Sequence, residues 1–274
     1  MNKKPLVSVL IPCYNHEDYI IECLTSVLKN DYENKEIVVI DDGSRDNSAT
    51  IIKKWVHDNK ASISVDFLKR ENRGLTKTLN ELIQRSKGEY ICILASDDLL
   101  THNSISVRVQ ALVNHPNKLA VIGDAHVIDS EGTQILDSAI EDLYYGNKNK
   151  YTTDEALKNC VIKEWSIPGP VMMAKRSLYD IIGIYPEDLV AEDLNFYLQV
   201  IGRGLLLFID EFVAFYRVHD LNSCRIPKNQ KQIMLTIIKS HWNNIKYYEF
   251  KFKAMISLLL VKNIAFYIKR LLTE

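Results

Sequence analysis

The first half of the chain alternates short apolar runs with amphipathic stretches, and that alternation leaves few folds open to it. Residues 6–11 (LVSVLI), 36–40 (EIVVI), 63–68 (ISVDFL), 90–94 (YICIL) and 119–123 (LAVIG) read as strands. Between them, 17–29 carries Ile20, Cys23, Leu24, Val27 and Leu28 at helical spacing, and 75–86 carries Leu75, Leu79, Leu82 and Ile83. Residues 46–57 and 103–114 complete the helices. Strands separated by helices of this length imply crossover units and a mostly parallel sheet flanked by helices, an α/β fold. In such a sheet ligands bind beyond the carboxyl ends of the strands.

The residues just past each strand are therefore informative. The first strand ends in Pro12-Cys13-Tyr14-Asn15 and the second in Asp41-Asp42-Gly43-Ser44. The third ends in Arg70-Glu71-Asn72-Arg73-Gly74 and the fourth in Ser96-Asp97-Asp98. Polar groups thus gather at one sheet edge. DDGS alone reads equally well as a helix-start turn, since Asp and Ser cap helices. Asp97-Asp98 is harder to dismiss, because adjacent carboxylates repel and resist desolvation, so something beyond that strand must stabilise them.

The second half is less regular. Residues 125–136 suggest a hairpin turning at Glu131-Gly132, followed by a polar loop over 141–153. A strand over 170–174, a helix over 176–182, AEDLNFYLQVIGRG (191–204) and two late strands within 205–218 come next. From about 229 the chain reads as two helices parted near Glu249. The implied organisation is a unit over 1–225, with halves 1–123 and 124–225, and a helical extension over 226–274.

Charge and cysteines narrow the function classes. With 34 basic against 35 acidic residues, no global field draws the chain to nucleic acid. Cys13, Cys23, Cys92, Cys160 and Cys224 contain no Cys-x-x-Cys and are odd in number, which favours buried free thiols and a reducing compartment. Pro12 and polar residues interrupt the N-terminal apolar run, so no cleavable signal is expected. No run approaches the ~20 apolar residues that span a bilayer. The expected location is the cytoplasm, either free or peripheral on the membrane's cytoplasmic face.

The stretches VSVLIPCYNHEDYIIECLTSVL, EIVVIDDGSRDNS, NRGLTKTLNELIQRSKGEYICILASDD and AEDLNFYLQV together resemble the inverting nucleotide-sugar glycosyltransferases of the GT-A fold, often called glycosyltransferase family 2. The resemblance covers about residues 6–204. It implies transfer from a nucleoside-diphosphate sugar, a UDP-sugar first among them, to a hydroxyl of a saccharide or lipid-linked acceptor in surface glycan biosynthesis. It also implies that Tyr14, beside Pro12, stacks on the base and that Asp42 accepts the uracil N3–H, while Asp41 binds the nucleotide or caps the next helix. Arg73 reaches the base or a phosphate, or is a solvated loop arginine. Asp97 and Asp98 match the family's acidic motif, which holds Mn²⁺ or Mg²⁺ on the diphosphate. One aspartate would ligate the metal and the other the ribose, with Asp98 favoured for the metal. Ala95 stands where many relatives carry a further acid.

Asp193 would be the general base, or a first-turn acid complementing a helix dipole. His219 falls near the expected diphosphate, as a ligand or a structural histidine. Gly169 would let backbone approach the donor sugar. Trp165 would be an acceptor platform or core. The basic, apolar stretch 246–272 lies outside the resemblance and suits a membrane surface, a homodimer contact or packing on the catalytic unit.

Three other classes compete. An NAD-type oxidoreductase needs a glycine-rich turn where this chain has IPCYN. A non-enzymatic binding domain would leave Glu192-Asp193 without purpose. An inactive nucleotide-binding relative stays open through Ala95.

Overall fold

The computed structural model describes residues 4–163, 165–189, 192–220 and 230–273. Strands β1 (Val7–Cys13), β2 (Lys35–Asp42), β3 (Ser64–Arg70) and β4 (Tyr90–Ile93) form the parallel half of one sheet, in the order β3-β2-β1-β4. Between them run α1 (Ile20–Lys29), α2 (Ser48–Asn59) and α3 (Leu75–Arg85). The strands read as continuous apolar runs because both faces are covered. Val7, Val9 and Ile11 of β1, with Ile37 and Val39 of β2, meet α1, α2 and α4 (Ser104–Asn114). Leu10, Val38 and Ile40 face the opposite way, into a core shared with α3 and the second half of the chain. That is the two-residue period of a strand, read on both faces.

Past β4 the sheet becomes mixed, running β4-β8-β6-β9-β5, with β7 beside β6. Strand β8 (Met172–Lys175) is antiparallel to β4 and to β6 (Ala120–Ile128), β9 (Leu206–Arg217) is parallel to β6, and β5 (Leu99–Leu100) is antiparallel to β9. The expected hairpin forms: β7 (Gln134–Leu136) returns along β6 through a turn with Gly132 at φ +82°.

Several expected elements differ. The two late strands are one, β9, whose pairing with β6 shifts register around Asp124. Asp210-Glu211 falls at that shift, since Ile122 pairs with Phe208 and Asp124 with Phe212, so 209–211 bulge from the ladder while the strand continues past them. Helix α5 (Asp154–Lys163) follows the polar loop where the sequence suggested no element, although Thr153 supplies a local start signal by accepting the Ala156 N–H at 3.2 Å. Helices α6 (Ser177–Ile182) and α7 (Glu192–Gly202) come next, then α8 (Gln230–Asn244) and α9 (Phe250–Thr273), parted at Glu249 as expected. Cys13, Cys23, Cys92 and Cys160 are buried thiols that form no disulfide. Cys224, Ala191 and the expected boundary at 225 lie outside the described residues. Among the described residues no helix is long and apolar enough to cross a membrane.

Candidate active site

At the carboxyl ends of β1 and β2 two loops are sewn together. Ser44 Oγ accepts the Asn15 N–H at 2.9 Å, Ser48 Oγ accepts the His16 N–H at 3.0 Å, and Asp46 Oδ2 accepts the Glu17 N–H at 3.0 Å. Asn15 adopts φ +54°, a left-handed conformation asparagine tolerates, and its Oδ1 accepts the Arg45 N–H at 2.8 Å. This stitching leaves the Tyr14 ring 42% exposed at the sheet edge and turns His16 toward the loop after β4. Pro12 is half-buried within β1.

Asp42 serves the next loop. Its Oδ1 accepts the Arg73 N–H and its Oδ2 the Gly74 N–H, both at 2.9 Å, and Arg70 Nη1 lies 2.5 Å from Oδ1. Gly43, at φ +77°, sits so tightly on this loop that a Cβ there would lie 2.6 Å from Asn72 N. Asp41 is buried, accepts the Ser44 N–H at 3.1 Å through Oδ1, and leaves Oδ2 without a hydrogen-bond partner. It caps the DDGS turn rather than the helix, whose N-cap is Asn47. The Arg73 side chain is exposed.

The acidic pair after β4 splits in two directions. Asp97 Oδ2 lies 3.0 Å from His219 Nε2, and Asp97 Oδ1 lies 3.9 Å from His16 Nδ1, which also meets Ser96 Oγ at 2.7 Å. The donor atoms of His16, Asp97 and His219 lie within 4.8 Å of one another. Tyr19 walls the cluster, its ring 4.9 Å from that of His219 and 5.9 Å from that of His16. Asp98 instead points inward, accepting the Arg217 N–H at 2.8 Å. Burial, and then the neighbouring Asp97 charge, push the Asp98 carboxyl well above the usual carboxylate range. Burial also acts to raise Asp97, but the His219 hydrogen bond and His16 outweigh it and hold Asp97 down. Two adjacent full charges in a low-dielectric interior are thereby avoided. Burial lowers His16, against the pull of Asp97.

Two imidazoles and a carboxylate are a competent donor set for a divalent cation. Bonds of about 2.1 Å place donors roughly 3 to 4.2 Å apart, so the widest pair would have to close by about 0.6 to 1.8 Å on a cation. Asp98, favoured from the sequence for the metal, is not in this cluster; its Oδ1 accepts the Arg217 N–H of β9.

Asp193 lies in the first turn of α7, exposed, with Oδ1 accepting the Leu194 N–H at 2.7 Å. Although the residue as a whole is exposed, protein close around the carboxyl itself desolvates it and raises it above the usual range. Its neighbour Tyr197 packs edge-on against half-buried Trp165, ring centroids 5.4 Å apart. Gly169 is exposed, and a Cβ there would meet nothing within 4 Å. A separate cavity of about 320 Å³, lined by Gln134, Leu136 and Asp142, opens beside β7 and contains none of these residues.

Two site residues escaped the sequence. His16 carried a signal, since it lies two residues past Tyr14 on the ligand-facing edge. Arg217 carried none, being one polar residue at the end of an apolar strand. It is buried, and Nε donates to the Asp97 carbonyl at 2.8 Å. Nη1 donates to the carbonyls of Asp129 and Ser130 at 3.1 and 2.9 Å, and Nη2 donates to Glu22 Oε2 at 2.6 Å.

Residues 8–181 match the model of glycosyl transferase family 2, a span that includes the acidic pair and stops short of Asp193 and His219. An uncharacterized glycosyltransferase of Rickettsia typhi is 29% identical over 229 residues, covering 82% of this chain and 68% of the relative. The poly-beta-1,6-N-acetyl-D-glucosamine synthase of Staphylococcus aureus is 29% identical over 209 residues, 71% of this chain and 47% of that one, so the chain spans under half the synthase. Among solved structures, S. aureus TarS in complex with UDP superposes with a TM-score of 0.65 at 19% identity, over 94% of this chain and 70% of that one. The mannosyltransferase PcManGT of Pyrobaculum calidifontis, in complex with GDP-Man and Mn²⁺, superposes with a TM-score of 0.69 at 19% identity, again over 94% and 70%.

Proposed function

The chain belongs to glycosyl transferase family 2 and is a glycosyltransferase, and we propose that it moves the sugar of a UDP-sugar, with a divalent cation, to a hydroxyl of a saccharide or lipid-linked acceptor by a single inverting displacement. The observation that carries this reading is the His16–Asp97–His219 cluster at the ligand-binding edge of the sheet. TarS with UDP and PcManGT with GDP-Man and Mn²⁺ support a nucleotide-sugar donor and a metal.

Tyr14 offers an exposed ring for the base to stack on. Asp42 has about four lone-pair sites; three serve Arg70, Arg73 and Gly74, and the fourth accepts the uracil N3–H. Arg73, exposed beside it, contacts the base or a phosphate. His16, Asp97 and His219 would hold the cation, and Asp98 would position Asp97 rather than ligate. Mn²⁺ or Mg²⁺ held there would neutralise charge gathering on the departing diphosphate. Asp193 takes the proton of the acceptor hydroxyl as that oxygen bonds to the anomeric carbon, while the bond to the diphosphate breaks and its electron pair leaves with the nucleotide. Desolvation makes Asp193 a stronger base than an ordinary aspartate. The acceptor belongs to surface glycan biosynthesis.

Calorimetric titration of UDP, GDP and dTDP, each with and without Mn²⁺, tests the reading on wild type and Asp97→Ala. UDP should bind with Mn²⁺ and lose that dependence in the variant. Binding of no nucleoside diphosphate under any condition would remove the donor and the proposal with it.

A further inference from the structure

Helix α9 is apolar on two faces, and only one of them is covered. Phe252, Ile256 and Leu260 recur every four residues and are buried against the rest of the chain, where Lys158 lies 5.6 Å from the Phe252 ring and pairs with Glu249 at 2.6 Å. On the other side Phe250, Leu258, Val261, Ile264 and Ile268 stand in solvent, Leu258 at 75% and Val261 at 67% exposure. With Ala254 filling the gap between Phe250 and Leu258, their steps of three or four residues make one continuous stripe along the helix. On α8, Trp242 is likewise exposed.

The stripe is flanked by cations. Lys251, Lys262 and Lys269 recur at spacings of eleven and seven residues, close to whole helical turns, along one border, and Lys253 lies on the other. Including Arg270, the 24 residues of α9 hold five basic residues and no Asp or Glu. Glu155 pairs with Lys251 at 2.8 Å, and Glu249 pairs with Lys158 at 2.6 Å. An apolar stripe bordered by lysines fits a helix lying in the plane of an anionic bilayer, its apolar side chains at the headgroup–acyl boundary and its lysines on lipid phosphates. A twofold-related second copy would set the same cationic border against itself, at an electrostatic cost.

We infer that α9 docks the enzyme on an anionic lipid surface, with Phe250, Leu258, Val261 and Ile268 entering the interface and Lys253, Lys262 and Lys269 contacting headgroup phosphates.

Flotation of the full chain with vesicles tests this, using phosphatidylcholine alone or mixed three to one with phosphatidylglycerol, at low and high salt and without any sugar nucleotide. Wild type should float with the anionic vesicles, at least tenfold more than with the neutral ones, and should be released by salt. At about fivefold per lysine, Lys253→Gln/Lys262→Gln/Lys269→Gln should weaken binding roughly a hundredfold. Leu258→Glu/Val261→Glu should abolish it while leaving the circular dichroism and Tm unchanged, because both side chains already stand in water. Three results would overturn the inference: no vesicle binding, binding indifferent to both variants, or a dimer by equilibrium sedimentation that Leu258→Glu dissociates. Because flotation needs no donor or turnover, its outcome is independent of the transferase proposal.

Discussion

Replacing Arg217 with methionine, of similar length and no charge, isolates what the guanidinium contributes. Its four donated hydrogen bonds are lost, while the backbone N–H to Asp98 remains. The Glu22 carboxylate is 55% exposed, so water replaces that partner and little is lost there. The carbonyls of Asp97, Asp129 and Ser130 are different, because part-buried acceptors are left short of a donor at about 1 kcal/mol each. Packing of the methionine offsets little of this, so the expected loss is about 3 kcal/mol. At about 2–4 °C per kcal/mol for a chain of this size, Tm should fall by roughly 6–12 °C in scanning calorimetry. The same loss frees the Asp97 carbonyl, so Mn²⁺-dependent UDP affinity should drop at a temperature where the variant is fully folded. Arg217→Lys should recover little, since its donors all sit on one nitrogen, which cannot span the separate acceptors that Nε, Nη1 and Nη2 reach. A Tm within about 2 °C of wild type, together with unchanged affinity, would refute the idea that this side chain ties the acidic loop to β9 and α1.

Three more perturbations have defined outcomes. As the proposed base, Asp193 would have to lose its proton, and desolvation raises its pKa, so kcat/KM should rise with pH along an acid limb above the ordinary aspartate value of about 3.9; Asp193→Asn should remove that limb and about 10²–10⁴ of the rate, and an unchanged pH profile would contradict the assignment. Two imidazoles favour Mn²⁺ over oxygen-seeking Mg²⁺, so His16→Ala should narrow the ratio of Mn²⁺ to Mg²⁺ affinity measured by calorimetry, and a constant ratio would exclude His16 from the cation. At Gly43, the left-handed φ and the 2.6 Å approach to Asn72 N make Gly43→Ala cost about 1–3 kcal/mol and push the 72–74 loop from Asp42, seen as a lower Tm and weaker UDP binding; a neutral result would mean the two loops yield independently.

The parallel half of the sheet was legible because its signals are local. A β1 or β2 strand covered on both faces shows itself as a run of apolar residues, and the turn after it is written in the next four letters. Elements past β6 take their shape from distant pairing. Strand β9 continues past Asp210-Glu211 because β6 pairs with it on both sides of the bulge there, and no window of β9 alone contains that information. Likewise Trp165, readable as platform or core, is half-buried because Tyr197 of α7 meets it edge-on.

The site divides along the same line. Tyr14, Asp42 and Asp97 could be picked out as candidates because each lies at or just past the end of a strand that could itself be recognised. The roles of Asp97 and Asp98 could not be assigned, because the residues that separate them come from loops about 80 and 120 positions away in sequence. His16 reaches Asp97 only because Ser44, Ser48 and Asp46 hold its loop, and Asp98 turns inward only because β9 presents the Arg217 N–H. The paired carboxylates that end β4 are therefore not one site with two equal members. One faces two imidazoles beyond the carboxyl end of β4, the other hydrogen-bonds the backbone of β9, and the division lets two adjacent acids stay buried.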